Sequence, residues 1–79
     1  MGYKKIDDIE KYKKIGVNIA DCRKNKKMTQ SELAEKINIS RTYMSNIEAP
    51  NMETHMSLNV LFKIADTLEV PLERLVNMD

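Results

Sequence analysis

Apolar residues recur at intervals of three and four along most of the chain, which is the spacing of amphipathic helices. One stripe predicts a first helix from about Ile6 to Lys24, and a short last helix is predicted to begin at Pro71, a residue suited to a first turn. Three further helices are predicted between them, over roughly 29–37, 41–49 and 57–68. The apolar face of the last of these is predicted to consist of Leu58, Leu61, Phe62, Ile64, Ala65 and Leu68. The chain is therefore predicted to be all-α, a compact five-helix bundle. The first stripe comprises Ile6, Ile9, Tyr12, Ile15, Ile19 and Cys22.

Short polar residues mark where these helices begin and end. Thr29 and Glu32 have the spacing of a capping box, so they predict the start of the second helix. Asn38 tolerates the left-handed backbone that ends a helix, and Ser40 and Ser57 are suited to cap the third and fourth helices. Only three residues separate the second helix from the third. Such a tight break predicts two helices that cross steeply, as in a helix-turn-helix.

The third helix has one apolar side and one polar side. Met44 and Ile47 are predicted to face the core, and Ala34 on the second helix is small enough for a close crossing. The outward side carries short hydrogen-bonding groups instead of the Lys and Glu of an ordinary solvated face. Such a side suits the DNA major groove, where donors and acceptors differ for each base pair. The outward residues are Thr42, Ser45, Asn46 and Ala49, with Arg41 and Tyr43 on the flanks.

Charge is divided unevenly between the two parts of the chain. Residues 1–27 carry nine basic and four acidic residues, a balance of +5, whereas residues 28–79 carry four and eight, a balance of −4. A basic end is typical of a phosphate-facing patch, but also of a solvated lysine-rich helix. Lys26 and Lys27 lie in the turn before the second helix, where phosphate is the group within reach. Met1 and its neighbours carry no myristoylation motif.

Composition argues against catalysis and against secretion. The 79 residues are enough for one small domain, and the single Cys22 has no partner for an internal disulfide. Cys22 and His55, the only histidine, lack the spacing of metal ligands, and no phosphate loop is present. We therefore predict a cytoplasmic protein that is not an enzyme, with no cofactor, no metal, no evident small-molecule ligand and no membrane segment.

Several motifs in order resemble the Cro/phage-repressor (XRE-type) helix-turn-helix family. They are IGVNIADCR at 15–23, MTQSELA at 28–34, SRTYMSNIE at 40–48, and the apolar residues Leu58, Leu61, Ile64, Ala65, Leu68 and Val70. The resemblance covers about three quarters of the chain. It implies a lambda-repressor-like DNA-binding domain over 15–76, with its motif at about 29–48 and with residues 1–14 as an extension of the first helix.

The same resemblance implies roles for individual residues. An ion pair between Arg23 and Glu48 is implied to join the first helix to the third, which agrees with the need of two partly buried charges for each other. Gln30 is implied to contact the DNA backbone and to brace the recognition helix. The residues expected to read bases are Arg41, Thr42, Ser45 and Asn46. Those expected to contact the DNA backbone are Lys26, Lys27, Thr29, Gln30, Ser40 and Tyr43.

The chain departs from the family pattern at two turns and one loop. The family usually has glycine where Lys27 and Asn38 stand, so Lys27 would be strained if the left-handed geometry persists. The loop over residues 50–56 is about two residues longer than usual. The small size and the entry to the fourth helix are similar to controller proteins of restriction–modification systems.

One domain offers too few base contacts to select a site in a genome, which predicts a dimer on a palindromic operator in double-stranded DNA. The apolar residues expected at the homodimer interface are Leu72, Leu75, Val76 and Met78, unless they cover the core of the monomer. An alternative function is a protein-interaction module, such as an antitoxin or a transcriptional bridging factor, whose acidic C-terminal half would face a basic partner.

Overall fold

The computed structural model describes residues 8–51 and 56–79. Within these ranges the chain forms five helices and no strand, which confirms the predicted all-α fold. The predicted start of the first helix near Ile6 lies outside the described residues, as does His55. The helices are α1 (Asp8–Asn25), α2 (Gln30–Lys36), α3 (Arg41–Glu48), α4 (Leu58–Leu68) and α5 (Leu72–Val76).

The predicted N-caps are confirmed at three helices. The Thr29 hydroxyl accepts from the Glu32 N–H (3.0 Å), and the Glu32 carboxylate accepts from the Thr29 N–H (2.9 Å), which completes the capping box of α2. Ser40 accepts from the Tyr43 N–H (3.0 Å), and Ser57 accepts from the Val60 N–H (3.1 Å). Each hydroxyl therefore satisfies a backbone donor that the first turn leaves unpaired.

Three helices end in a left-handed residue that is not glycine. Lys27, Asn38 and Glu69 have φ angles of 56°, 60° and 58°. Each sits in a Schellman motif, where the following N–H reaches back five residues: Met28 N to Arg23 O (3.1 Å), Ile39 N to Ala34 O (2.9 Å), and Val70 N to Ala65 O (3.0 Å). The left-handed geometry in which Lys27 was expected to be strained is therefore present, and Asn38, a residue that tolerates this geometry, adopts it as well.

The core lies where the five helices meet, and α5 contributes Leu75 to it. As predicted, Met44 and Ile47 of α3 are fully buried, and Ala34 is buried where α2 meets its neighbours. The prediction for α4 was partly wrong, because Leu58 is 63% exposed and Phe62 is 45% exposed. The buried face of α4 therefore contains fewer residues than the predicted apolar face. It consists of Leu61, Ile64, Ala65 and Leu68.

Gly16 marks a close approach between α1 and the end of α3. A Cβ atom at this position would lie 2.6 Å from Glu48 O and 2.7 Å from Ile47 O, both backbone atoms. Real Cβ atoms do not approach backbone oxygens so closely, so only glycine lets these two helices meet here. The end of α3 therefore packs directly against α1.

The last helix, α5, is attached to α1 by one buried amide. Asn18 Nδ2 donates to Leu75 O (3.0 Å) and to Asn77 O (2.8 Å). The Leu75 side chain is fully buried, so it covers the core of the monomer, the second of the two roles expected for it. Leu72 packs partly against the core, whereas Val76 and Met78 are exposed. No helix in the described ranges is long and apolar enough to cross a membrane.

Candidate nucleic-acid interface

The outward side of α3 presents the four residues expected to read bases. Arg41, Thr42, Ser45 and Asn46 are exposed and together line one open cavity of about 270 Å³. They share a side because positions one turn apart on a helix face the same way. Their groups comprise a guanidinium, two hydroxyls and an amide, which between them can donate to and accept from base edges.

The inner end of α3 is held by a single carboxylate. Glu48 accepts from Arg23 Nε at Oε2 (2.7 Å) and from Arg23 Nη2 at Oε1 (2.9 Å), a two-pronged ion pair. Gln30 Nε2 also donates to Glu48 Oε1 (3.0 Å). The carboxylate therefore joins α1, α2 and α3 at one point. This arrangement agrees with the bracing role expected of Gln30.

The ion pair is almost shut off from water. The Arg23 and Glu48 side chains are 10% and 6% exposed, and Arg23 Nη1 donates a further hydrogen bond to Met28 O (2.8 Å). Hydrogen bonding to Glu48 raises the pKa of Arg23 above its already high ordinary value, although burial opposes the shift. Because both charges are nearly buried, removing either one would leave the other without compensation.

A second, basic cavity adjoins the outward side of α3. It has a volume of about 410 Å³ and brings Arg41 together with Lys27, Thr29 and Gln30, three of the six residues expected to contact the DNA backbone. Arg41 lines both cavities, so it stands between them. Arg23 also lines the basic cavity, but its guanidinium is committed to Glu48. Lys24, Lys27 and Arg41 therefore supply the positive charge available to an anion.

Lys26 lies apart from this group. Its ammonium is 3.0 Å from Glu69 Oε1, at the end of α4. Its side chain is not among those lining the basic cavity. The structure thus separates Lys26 from Lys27, although the two are adjacent in the sequence and were expected to act alike.

The remaining residues expected at the DNA backbone have structural duties as well. Thr29 and Ser40 use a lone pair as caps, but each hydroxyl hydrogen can still be donated to a phosphate oxygen. The ring of Tyr43 is half-buried and packs against the core. Tyr43 therefore flanks the outward side of α3 instead of projecting from it.

Sequence reasoning missed two residues near this interface, Lys24 and Glu69, and one away from it, Asn18. Lys24 was overlooked, although it lies in the basic run from Arg23 to Lys27 and so carried a visible signal. Asn18 is a lone amide within the apolar stripe of α1, which is a recognisable sign of a buried hydrogen bond. Glu69 carried no such signal, because its partner Lys26 is 43 residues away in the chain.

The chain matches the family model described as helix-turn-helix over residues 19–75, a range that contains both cavities. Over 63 residues it is 40% identical to the HTH-type transcriptional regulator SinR of Bacillus licheniformis. That match covers 80% of this chain and 56% of the relative, so the chain spans little more than half of the relative's length.

Two solved structures show the same arrangement of helices. The crystal structure of SinR, the master regulator for biofilm formation, in complex with DNA has a TM-score of 0.71 at 38% identity, and covers 80% of this chain and 98% of that one. The restriction-modification controller protein C.AhdI from Aeromonas hydrophila has a TM-score of 0.72 at 25% identity, with coverage of 81% and 94%.

Proposed function

This chain belongs to the helix-turn-helix family, and from that premise we propose that it is a sequence-specific DNA-binding transcriptional regulator. The family expected from the sequence, the XRE type, is confirmed. The observation that carries the proposal is the outward side of α3, where four polar side chains line one cavity beside a basic one. The similarity to SinR, one structure of which contains DNA, supports it.

In this proposal α3 enters the major groove. Arg41 pairs with guanine through two parallel hydrogen bonds, and Asn46 pairs with adenine in the same manner. Thr42 and Ser45 lie between them. Their hydroxyl groups form hydrogen bonds with base edges, and the methyl group of Thr42 contacts the methyl group of a thymine. Phosphate contacts come from Lys24, Lys27 and Gln30, which line the adjoining cavity. Base contacts set the preferred sequence, and phosphate contacts set the position of the domain.

The experiment compares one base-reading residue with one phosphate-facing residue. A DNA duplex is first selected from a random-sequence pool by the wild-type protein, and a scrambled duplex serves as its control. Arg41→Ala should cost about 1–3 kcal/mol on the selected duplex and relax preference at one base pair of each half-site. Lys27→Ala should weaken binding to both duplexes and reduce the salt slope by about one.

Arg41 lines both cavities, so it could contact either a base or a phosphate, and the two variants distinguish these two roles. If Arg41→Ala weakens both duplexes equally and leaves the base preference unchanged, Arg41 contacts phosphate and the proposed reading side is wrong. The alternative function, a protein-interaction module, would give only weak and sequence-blind binding by the wild-type protein, so the selection itself would recover no preferred duplex.

We propose further that the protein acts as a two-fold dimer in the cytoplasm, on half-sites about 34 Å apart. Val76 and Met78 are exposed apolar residues beside half-buried Leu72, which supports an interface at α5. Light scattering at micromolar concentration should give twice 9.2 kDa. Val76→Glu should lower that mass, whereas Leu58→Glu on α4 should leave it unchanged. A wild-type monomer that binds a palindrome tightly would count against the dimer.

A further inference from the structure

Glu69 occupies a position where a carboxylate side chain has no evident structural purpose. Its φ angle of 58° lies in the left-handed region, where glycine ends a helix without strain. The Schellman hydrogen bonds of α4 use only backbone atoms, so glycine would make them equally well. A glutamate here therefore costs conformational energy that the end of the helix does not require.

The one described contact of the Glu69 carboxylate is with Lys26. The two charged atoms are 3.0 Å apart, but the side chains are 75% and 40% exposed. Exposed ion pairs add little to the stability of a fold, because water competes for both charges. The pair is thus a poor explanation of stability, and its effect has to be sought in the lysine that it holds.

Lys26 stands beside the basic cavity but is turned away from it. Its neighbour Lys27 lines that cavity with Lys24 and Arg41, whereas the Lys26 ammonium lies at the end of α4. A lysine is a point charge on a flexible four-carbon stem, so it can reach one of two anions on either side of a turn. For Lys26 these are the Glu69 carboxylate and a DNA phosphate, and it cannot be fully paired with both.

From these observations we infer that Glu69 competes with DNA phosphate for Lys26 and so sets an upper limit on the affinity of the domain for DNA. The inference rests on the proposed function, since it assumes that DNA lies against the basic cavity. Phosphate contacts do not distinguish sequences, so the carboxylate weakens binding to every duplex by the same factor. Base preference is unaffected, because Glu69 lies away from the outward side of α3.

The test removes the negative charge of Glu69 and keeps the size of its side chain. Glu69→Gln should raise affinity for the selected and the scrambled duplex alike, by about two- to fivefold, which is the range of an exposed ion pair. The salt slope should become steeper by up to about one, as expected for one more phosphate contact. Asp66→Asn is the matched control, because it removes one negative charge a turn earlier on α4 and should change affinity much less.

The same substitution made in Lys26→Ala protein tests whether the rise in DNA affinity depends on Lys26. In Lys26→Ala protein, Glu69→Gln should no longer change affinity. The inference is overturned if the rise persists there, if Asp66→Asn produces the same rise, or if Glu69→Gln leaves affinity unchanged or lowers it. Wild-type protein that binds neither duplex would refute the proposed function itself, whereas normal wild-type binding with an inert Glu69→Gln refutes this inference only.

A further variant separates strain from charge. Glu69→Gly removes the carboxylate and also relieves the left-handed strain, so it should raise both the melting temperature and the DNA affinity. Glu69→Gln retains the strain and should raise the affinity without a matching rise in melting temperature. Equal affinities for these two variants are required if the carboxylate alone competes for Lys26. A rise in affinity confined to Glu69→Gly would assign the effect to the backbone and contradict the inference.

Discussion

The two sides of α3 differ in what holds their side chains. On the inner side Met44 and Ile47 are fully buried, and the Glu48 carboxylate accepts three hydrogen bonds from α1 and α2. On the outer side four polar residues line an open cavity. The inner side therefore determines where the helix lies, and the outer side determines what it can bind. Changes to the two sides should separate stability from recognition.

The largest effect is expected at the buried carboxylate. Glu48→Ala leaves Arg23 charged and without its partner in a nearly closed site, which should cost about 3 kcal/mol of unfolding free energy. Ser45→Ala on the outer side of the same helix should change that free energy by less than about 0.5 kcal/mol. Urea unfolding of both variants measures the contrast. Equal stability of the Glu48 variant and wild type would mean that the inner side does not fix the helix.

The second largest effect on stability is expected at Gly16, where α1 and α3 are in close contact. Gly16→Ala would place a methyl group 2.6 Å from Glu48 O, and backbone atoms cannot move aside as a flexible side chain can. The helices must separate, at a cost of about 2–3 kcal/mol. Val17→Ala, the next residue along α1, alters an exposed side chain and serves as control. Thermal melts that rank the two variants in the opposite order would contradict the close approach.

Lys27 offers a trade between the two properties. A left-handed backbone costs about 1–2 kcal/mol for a residue with a side chain. Glycine avoids this cost, but it loses more conformational entropy on folding, which offsets part of the gain. Lys27→Gly should therefore stabilise the domain by about 0.5–1 kcal/mol while weakening its binding to DNA. Asn38→Gly, at the equivalent turn after α2, should change DNA binding little. Melting and binding measured on the same samples would show whether strain is kept at Lys27 for the sake of its charge.

The smallest effect concerns the capping box of α2 and depends on pH. The hydrogen bond from the Thr29 N–H lowers the pKa of Glu32, and the Thr29 side chain adds to the shift. A carboxyl whose pKa is lower in the folded protein contributes stability above its unfolded pKa of about 4.3, and that contribution is lost as pH falls through the folded pKa. The advantage of wild type over Glu32→Gln should therefore shrink between about pH 6 and pH 3.

The control for this pH effect is Glu35→Gln, one turn nearer the end of α2 and outside the capping box. Its melting temperature relative to wild type should vary less over the same range of pH. If the Glu32 and Glu35 variants show the same dependence, the titration reports the net charge of the domain and not the cap.

Features set by neighbouring residues were predictable from the sequence. The three N-caps depend on side chains three residues from the groups they bind, and Thr29, Ser40 and Ser57 were identified correctly. The left-handed turn at Lys27 followed from the glycine that the family has there. The four residues of the outer side followed from helical spacing together with the resemblance.

Features set by the width of a contact or by distant residues were not predictable. Helical periodicity shows which residues share a stripe, but not how much of it a neighbouring helix covers. Leu58 and Phe62 were expected on the apolar face of α4, and both are exposed. For the same reason the apolar stripe did not decide whether Leu75 covers the core of the monomer, as it does in the structure, or is left for an interface. The pairing of Lys26 with Glu69 depends on the meeting of two turns, which only the folded chain reveals.

The amide of Asn18 joins residues that are far apart in the sequence, and this bears on the order in which the domain assembles. Its two hydrogen bonds span 57 and 59 residues, whereas the ion pair of Arg23 and Glu48 spans 25. Closing a longer loop costs more chain entropy. In addition, α5 has only five residues and no side-chain N-cap, so it does not form a helix unless it packs against the rest of the domain. We therefore expect α5 to fold last and to open first, with its amide protons exchanging with deuterium faster than those of α1 and α3. Equal exchange rates across all five helices would instead indicate that the domain opens as a single unit.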